Sequence, residues 1–67
     1  MKLVLTFVGS DSWDRPVYKA GETLYVDTDP RTGWAPNICT KCDNEFDGEP
    51  DFPVNAEFEF IPHRVLW

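Results

Sequence analysis

Residues 37–51, NICTKCDNEFDGEPD, decide how this chain is read. Ile38, Cys39, Cys42 and Phe46 recur at helical spacing, with Asn37 or Thr40 placed as a cap and Gly48 just beyond the end. As a short helix, the segment buries both cysteines beneath an acidic outer face. As a knuckle, it turns two thiolates toward one metal ion. Either way a non-sheet element is expected near residues 37–47.

The flanking segments read as strands. KLVLTFV (2–8) is apolar on both faces, which suits a central or covered strand. RPVYK and ETLYVD flank Ala20-Gly21 as a hairpin, with Gly21 supplying the unusual backbone angle. Pro16 lacks a ladder donor and belongs at a strand start or edge. DTDPRTG (27–33) forms a turn. AEFEFI (56–61) alternates Ala56, Phe58 and Phe60 against Glu57 and Glu59, as in a half-buried antiparallel strand. Pro62 ends it, and HRVLW adds a short last strand or packs Leu66 and Trp67 over an open end. The expected fold is therefore α+β, a single domain over residues 1–67: a small three- to four-stranded antiparallel sheet with one short helix or knuckle. Its core is expected from Leu3, Leu5, Phe7, Leu24, Val26, Phe46, Phe58 and Phe60.

Size and charge narrow the function classes. A 67-residue chain buries only about 60% of its unfolded surface, so a stapling interaction is valuable. Twelve acidic against six basic residues give a net charge of −6, and the basic residues are scattered. Phosphate binding needs clustered Lys and Arg, so no direct nucleic-acid contact is expected; the acidity suits simple solubility first, or binding to a basic surface on another protein. Residues 3–8 are too short an apolar run for a signal peptide or a membrane span. A cytoplasmic setting with reduced cysteines follows.

The chemistry of residues 37–51 is weighed ligand by ligand. Cys39-x-x-Cys42 supplies half of a tetrahedral zinc site, with His63 or Asp43 as possible further ligands and no second cysteine pair. Packing of reduced cysteines is the preferred alternative. A thioredoxin-like role is disfavoured because neighbouring acids hold back the thiolate. DNEFDG resembles the opening of a calcium-binding EF-hand loop, but Val54 stands where the bidentate acid belongs. The alternating acids Asp43, Glu45, Asp47, Glu49 and Asp51 are read as a solvated loop, since Pro50 and Pro53 argue against a regular strand. His63 is the lone histidine with no nucleophile pattern around it, so no enzyme is expected. Trp13 and Trp34 lie in loops, as lids on a small core or as partner anchors.

With DSWDRPVYK, LYVDTDPR and NEFDGEPDFP in place, the chain resembles small domains of Firmicutes and their phages or conjugative elements. These are grouped with the large polyvalent protein-associated domains. The resemblance covers roughly residues 7–53; CTKC is not diagnostic of the group, so the resemblance neither supports nor excludes a metal. It implies a bacterial or mobile-element setting and an accessory, protein-binding role, and it carries over no functional residue. Three expectations follow. The first is a non-catalytic acidic interaction module without a required cofactor, as a monomer or small homo-oligomer. The alternatives are a zinc-stabilised module using Cys39 and Cys42, and an acidic inhibitor that mimics nucleic acid.

Overall fold

The computed structural model describes residues 2–66. Six strands form one sheet: β1 (Lys2–Ser10), β2 (Pro16–Ala20), β3 (Thr23–Asp27), β4 (Ile38–Lys41), β5 (Pro50–Pro53) and β6 (Glu57–Ile61). Their order is β5-β4-β3-β2-β1-β6. Consecutive strands β1 to β5 pair antiparallel, and β6 returns to pair parallel with β1. The described residues contain no α-helix, only one 3-10 turn at Cys42–Asn44. The expected α+β fold with three or four antiparallel strands is thus corrected to a mixed six-stranded sheet.

The correction centres on residues 37–47. Ile38 to Thr40 become a strand because β3 has an open side: Asp27, Val26 and Tyr25 pair with Ile38, Cys39 and Thr40. The would-be caps serve the sheet instead. Asn37 O accepts the Thr28 N–H at 3.0 Å, and Thr40 Oγ1 accepts the Phe52 N–H at 3.1 Å. Asp43 and Asn44 sit at φ 54° and 53°, left-handed values that Asp and Asn tolerate and that stop a helix. The prolines do not prevent β5 from forming, because it is an edge strand with no ladder on one side.

Connection lengths force the sheet to curl. A flat sheet of six strands, at about 4.8 Å spacing, separates its edges by about 24 Å. Residues 54–56 join β5 at one edge to β6 at the other, and that link reaches at most about 14 Å. The register adds a second constraint. Pro53 lies in the row of Cys39, Val26, Val17 and Gly9, whereas Glu57 lies beside Lys2 at the opposite end of β1. Both are met when the strands tilt and the sheet rolls into a half-closed barrel. Its extents of 28 × 26 × 20 Å fit that shape.

The concave side is the core. Leu5, Tyr18 and Ile38 are buried there, with Leu3, Phe7, Ala20, Tyr25, Val54, Phe58 and Phe60 packed around them. Tyr18 stands edge-on to Phe7 and Phe60, with centroids 5.9 and 5.1 Å away. Of the expected core, Leu3, Leu5, Phe7, Phe58 and Phe60 take part. Tyr25 takes the inner position in β3, opposite Tyr18, which turns Leu24 and Val26 outward. Val26 is nevertheless fully buried, as is its partner Val17. Two loops, residues 11–15 and 42–49, fold back over that outer side. Phe46 belongs to this cover: its ring sits 3.2 Å from where a Gly9 Cβ would stand, and 38% of it is exposed.

The hairpin turn follows the expectation, with Gly21 at φ 61°. After β6 the chain forms no further strand through residue 66, and Leu66 is exposed. The expected lid role of Trp67 lies outside the described residues.

Residues 42–49 close on themselves. Cys42 N–H donates to Glu49 O at 2.8 Å, Glu45 N–H to Cys42 O at 3.2 Å, and Gly48 N–H to Glu45 O at 3.0 Å. A Cβ on Gly48 would collide with the Cys42 carbonyl and stand 3.1 Å from Glu45 O, both fixed backbone atoms. Gly48→Ala is therefore expected to cost about 1–3 kcal/mol, the usual range for overpacking. Urea denaturation read by tryptophan fluorescence checks this, and an unchanged midpoint would show that the loop yields freely.

Candidate functional site

The acidic connection is built onto the sheet at three points. Asn44 grips the β2–β3 turn: its Oδ1 accepts the Leu24 N–H and its Nδ2 donates to Glu22 O, each at 2.7 Å. Asp47 Oδ1 accepts the Ser12 N–H at 3.0 Å, joining the two covering loops. Lys41 Nζ donates to Gly48 O at 3.0 Å from below. The loop is acidic yet held in one shape.

Lys41 also makes a fully buried ion pair. Its Nζ lies 2.6 Å from Asp11 Oδ2, and both side chains are wholly enclosed. Asp11 Oδ1 accepts the N–H groups of Trp13 and Arg15, each at 3.0 Å. Burial alone raises the Asp11 carboxyl. The hydrogen bond from Lys41, the Arg15 N–H and the charges of Lys41 and Arg15 outweigh it, holding the group below its ordinary value. The Trp13 ring stacks near the Arg15 guanidinium at 4.8 Å. Neither Asp11 nor Lys41 stood out in the sequence.

Cys39 and Cys42 are free thiols. Cys39 lies on the outer side of β4 and is half-buried, while Cys42 is exposed in the 3-10 turn. They do not share a buried helical face with Phe46. The charge of Asp43, then burial, then Asp51, Glu49 and Glu45 push the Cys42 thiol upward. Burial does the same for Cys39, with Arg15 opposing and Asp27 assisting. Both shifts disfavour the thiolate that metal binding and exchange require. His63 sits in the tail with Nδ1 at 3.1 Å from Arg64 O. Among the described residues, no group of three or more His, Cys, Asp or Glu side chains is arranged to hold a metal.

The other end of the sheet carries the tryptophans. Loops 11–15 and 28–37 both leave from the end formed by Ser10, Pro16, Asp27 and Ile38. Arg31 stacks 4.2 Å from the Trp34 ring and makes a two-pronged pair with Asp29 at 2.7 and 3.0 Å. The hydrogen bond from Arg31 lowers the Asp29 carboxyl against the opposing effect of burial, with the charges of Arg31 and Arg64 assisting. From the tail, Arg64 donates to Trp34 O at 2.6 Å and approaches the buried Asp27 carboxylate at 3.4 Å. Trp13 and Trp34 remain 48% and 56% exposed, so neither is a closed lid.

Phe52 is the exposed aromatic the sequence reading missed. It is 69% exposed on edge strand β5, beside Asp51 and between Pro50 and Pro53. An aromatic bracketed by prolines cannot lie in a central ladder, and that was the sign to find it by. The twelve carboxylates do not form one open array. Asp11 and Asp27 are buried, and Asp29, Asp47 and Glu59 hold partners within the chain.

No pocket is present among the described residues, and no helix among them is long and apolar enough to cross a membrane. Comparison with protein-family models, curated proteins and solved structures gives no match to this chain.

Proposed function

We propose that the chain is a non-catalytic interaction module that presents its acidic connection, with Phe52 beside it, to a basic surface of a partner protein. The observation that carries this is the bracing of residues 42–49 by Lys41, Asn44 and Asp47, which sets the backbone from which Glu45 and Glu49 project. A preorganised loop loses little entropy on binding. An exposed aromatic such as Phe52 belongs to the residue class enriched at protein interfaces, with the neighbouring carboxylates as a polar rim. The bacterial or mobile-element setting and the cytoplasmic location belong to the same proposal and rest on the sequence resemblance and composition.

The test neutralises charges that hold no fold contact: Glu45→Gln, Glu49→Gln and Asp51→Asn together. Wild-type protein is used to capture a partner from the source cell, and the captured protein is then titrated against both forms. Three exposed charges are expected to contribute about tenfold in affinity, more at low salt. Equal affinity of the two forms at every salt concentration would overturn the proposal.

A further inference from the structure

The two edges of the sheet differ in a way that points to a second docking surface, separate from the acidic connection. Edge strand β5 is guarded: Pro50 and Pro53 remove two of its four backbone donors. Edge strand β6, Glu57–Ile61, has no proline within it and, among the described residues, pairs only with β1. Its side chains alternate, with exposed Glu57, Glu59 and Ile61 against half-buried Phe58 and Phe60. Among the described residues, only Glu59 of the two glutamates has a cation in reach, Lys2 at 3.0 Å across the ladder, and both of those groups are half-exposed.

We infer that β6 accepts an extended segment of a partner protein by strand addition, and that this segment alternates basic and apolar residues. The backbone of β6 supplies the free ladder groups. Glu57 and Glu59, two residues apart, face the same way and call for Lys or Arg opposite them. The partner's intervening apolar residues cover the edges of Phe58 and Phe60. A second copy of this chain is a poor occupant. Antiparallel self-pairing centred on β6 sets Glu59 against Glu59, and in-register parallel pairing sets each glutamate against itself.

The probe is a synthetic peptide of alternating lysine and valine, with a block-ordered peptide of the same composition as control. Both are titrated into the isotope-labelled full chain. Binding of the alternating peptide is expected to shift the amide signals of residues 57–61 and to slow their hydrogen exchange. The block peptide is expected to bind at least about tenfold more weakly, since it cannot match charge and apolar positions together. The double variant Glu57→Lys/Glu59→Lys, at exposed sites, is expected to lose the alternating peptide while keeping the wild-type spectrum elsewhere. Equal binding of the two peptides would mean charge attraction alone and would overturn the inference, as would no binding. Shifts confined to residues 42–52 would overturn it too, while leaving the acidic connection as the interaction surface.

Discussion

Lys41→Met is expected to cost the domain about 3–5 kcal/mol at neutral pH, a large share of its stability. The substitution keeps the stem's volume but strands the Asp11 carboxylate, whose side chain has no exposure. Arg15 is the other cation beside it among the described residues, at 3.5 Å and without a hydrogen bond from its Nε. Removing one partner of a buried pair costs about 3–5 kcal/mol. A chain of 67 residues has only about 3–10 kcal/mol in total. The loss reaches further than the pair, because Lys41 also holds Gly48 and so the covering loop.

Adding Asp11→Asn to Lys41→Met removes the stranded charge and keeps an oxygen for the Trp13 and Arg15 N–H groups. That double variant is expected to recover about 1–3 kcal/mol over Lys41→Met alone. The pH dependence has a defined sign. Asp11 is lower in the folded protein than in the unfolded chain, so its contribution is complete above the unfolded value near 4. It is lost as pH falls through the folded value. Wild-type melting temperature should therefore drop below about pH 4, and less steeply in the double variant. Thermal melts read by circular dichroism measure both effects. Lys41→Met within about 1 kcal/mol of wild type would show that the pair contributes little.

Tyr18→Ala is expected to match that loss through packing. Tyr18 is the largest fully buried side chain, and two aromatic rings lean on it. Its hydroxyl accepts the Val65 N–H at 3.0 Å, tying the tail to the core. Removing a buried ring costs about 3–5 kcal/mol. Tyr18→Phe keeps the ring and gives up only the hydroxyl contact, about 1 kcal/mol. Urea titrations of the two variants separate these terms. If they lose stability equally, the tail contact matters and the ring packing does not.

The two residues divide what could be read in advance. The strand at Tyr18 follows from RPVYK and its hairpin partner, since local pattern and turn chemistry agree there. β1 and β6 were legible for the same reason, although alternation in AEFEFI says nothing about direction. Parallel pairing of β6 with β1 depends on where a three-residue link must arrive. At the candidate site, the acidic run and the loop tryptophans were visible, but the bracing contacts of Asn44 and Asp47 and the exposure of Phe52 were not. Their roles depend on residues 12 to 35 positions away.

Composition and pattern by themselves determined an acidic, sheet-rich domain with a hairpin at Gly21 and a core that includes Leu5, Phe7, Phe58 and Phe60. Only the tertiary structure decided the fate of residues 37–51. Their apolar spacing suits a helix, yet an isolated helix that short is marginal in water, and packing sets the outcome. The open side of β3 offered backbone partners and a buried place for Ile38, while Asp11 offered a counter-charge for Lys41. Those gains exist only once β1, β2 and β3 are assembled, so no local property of the segment could disclose them.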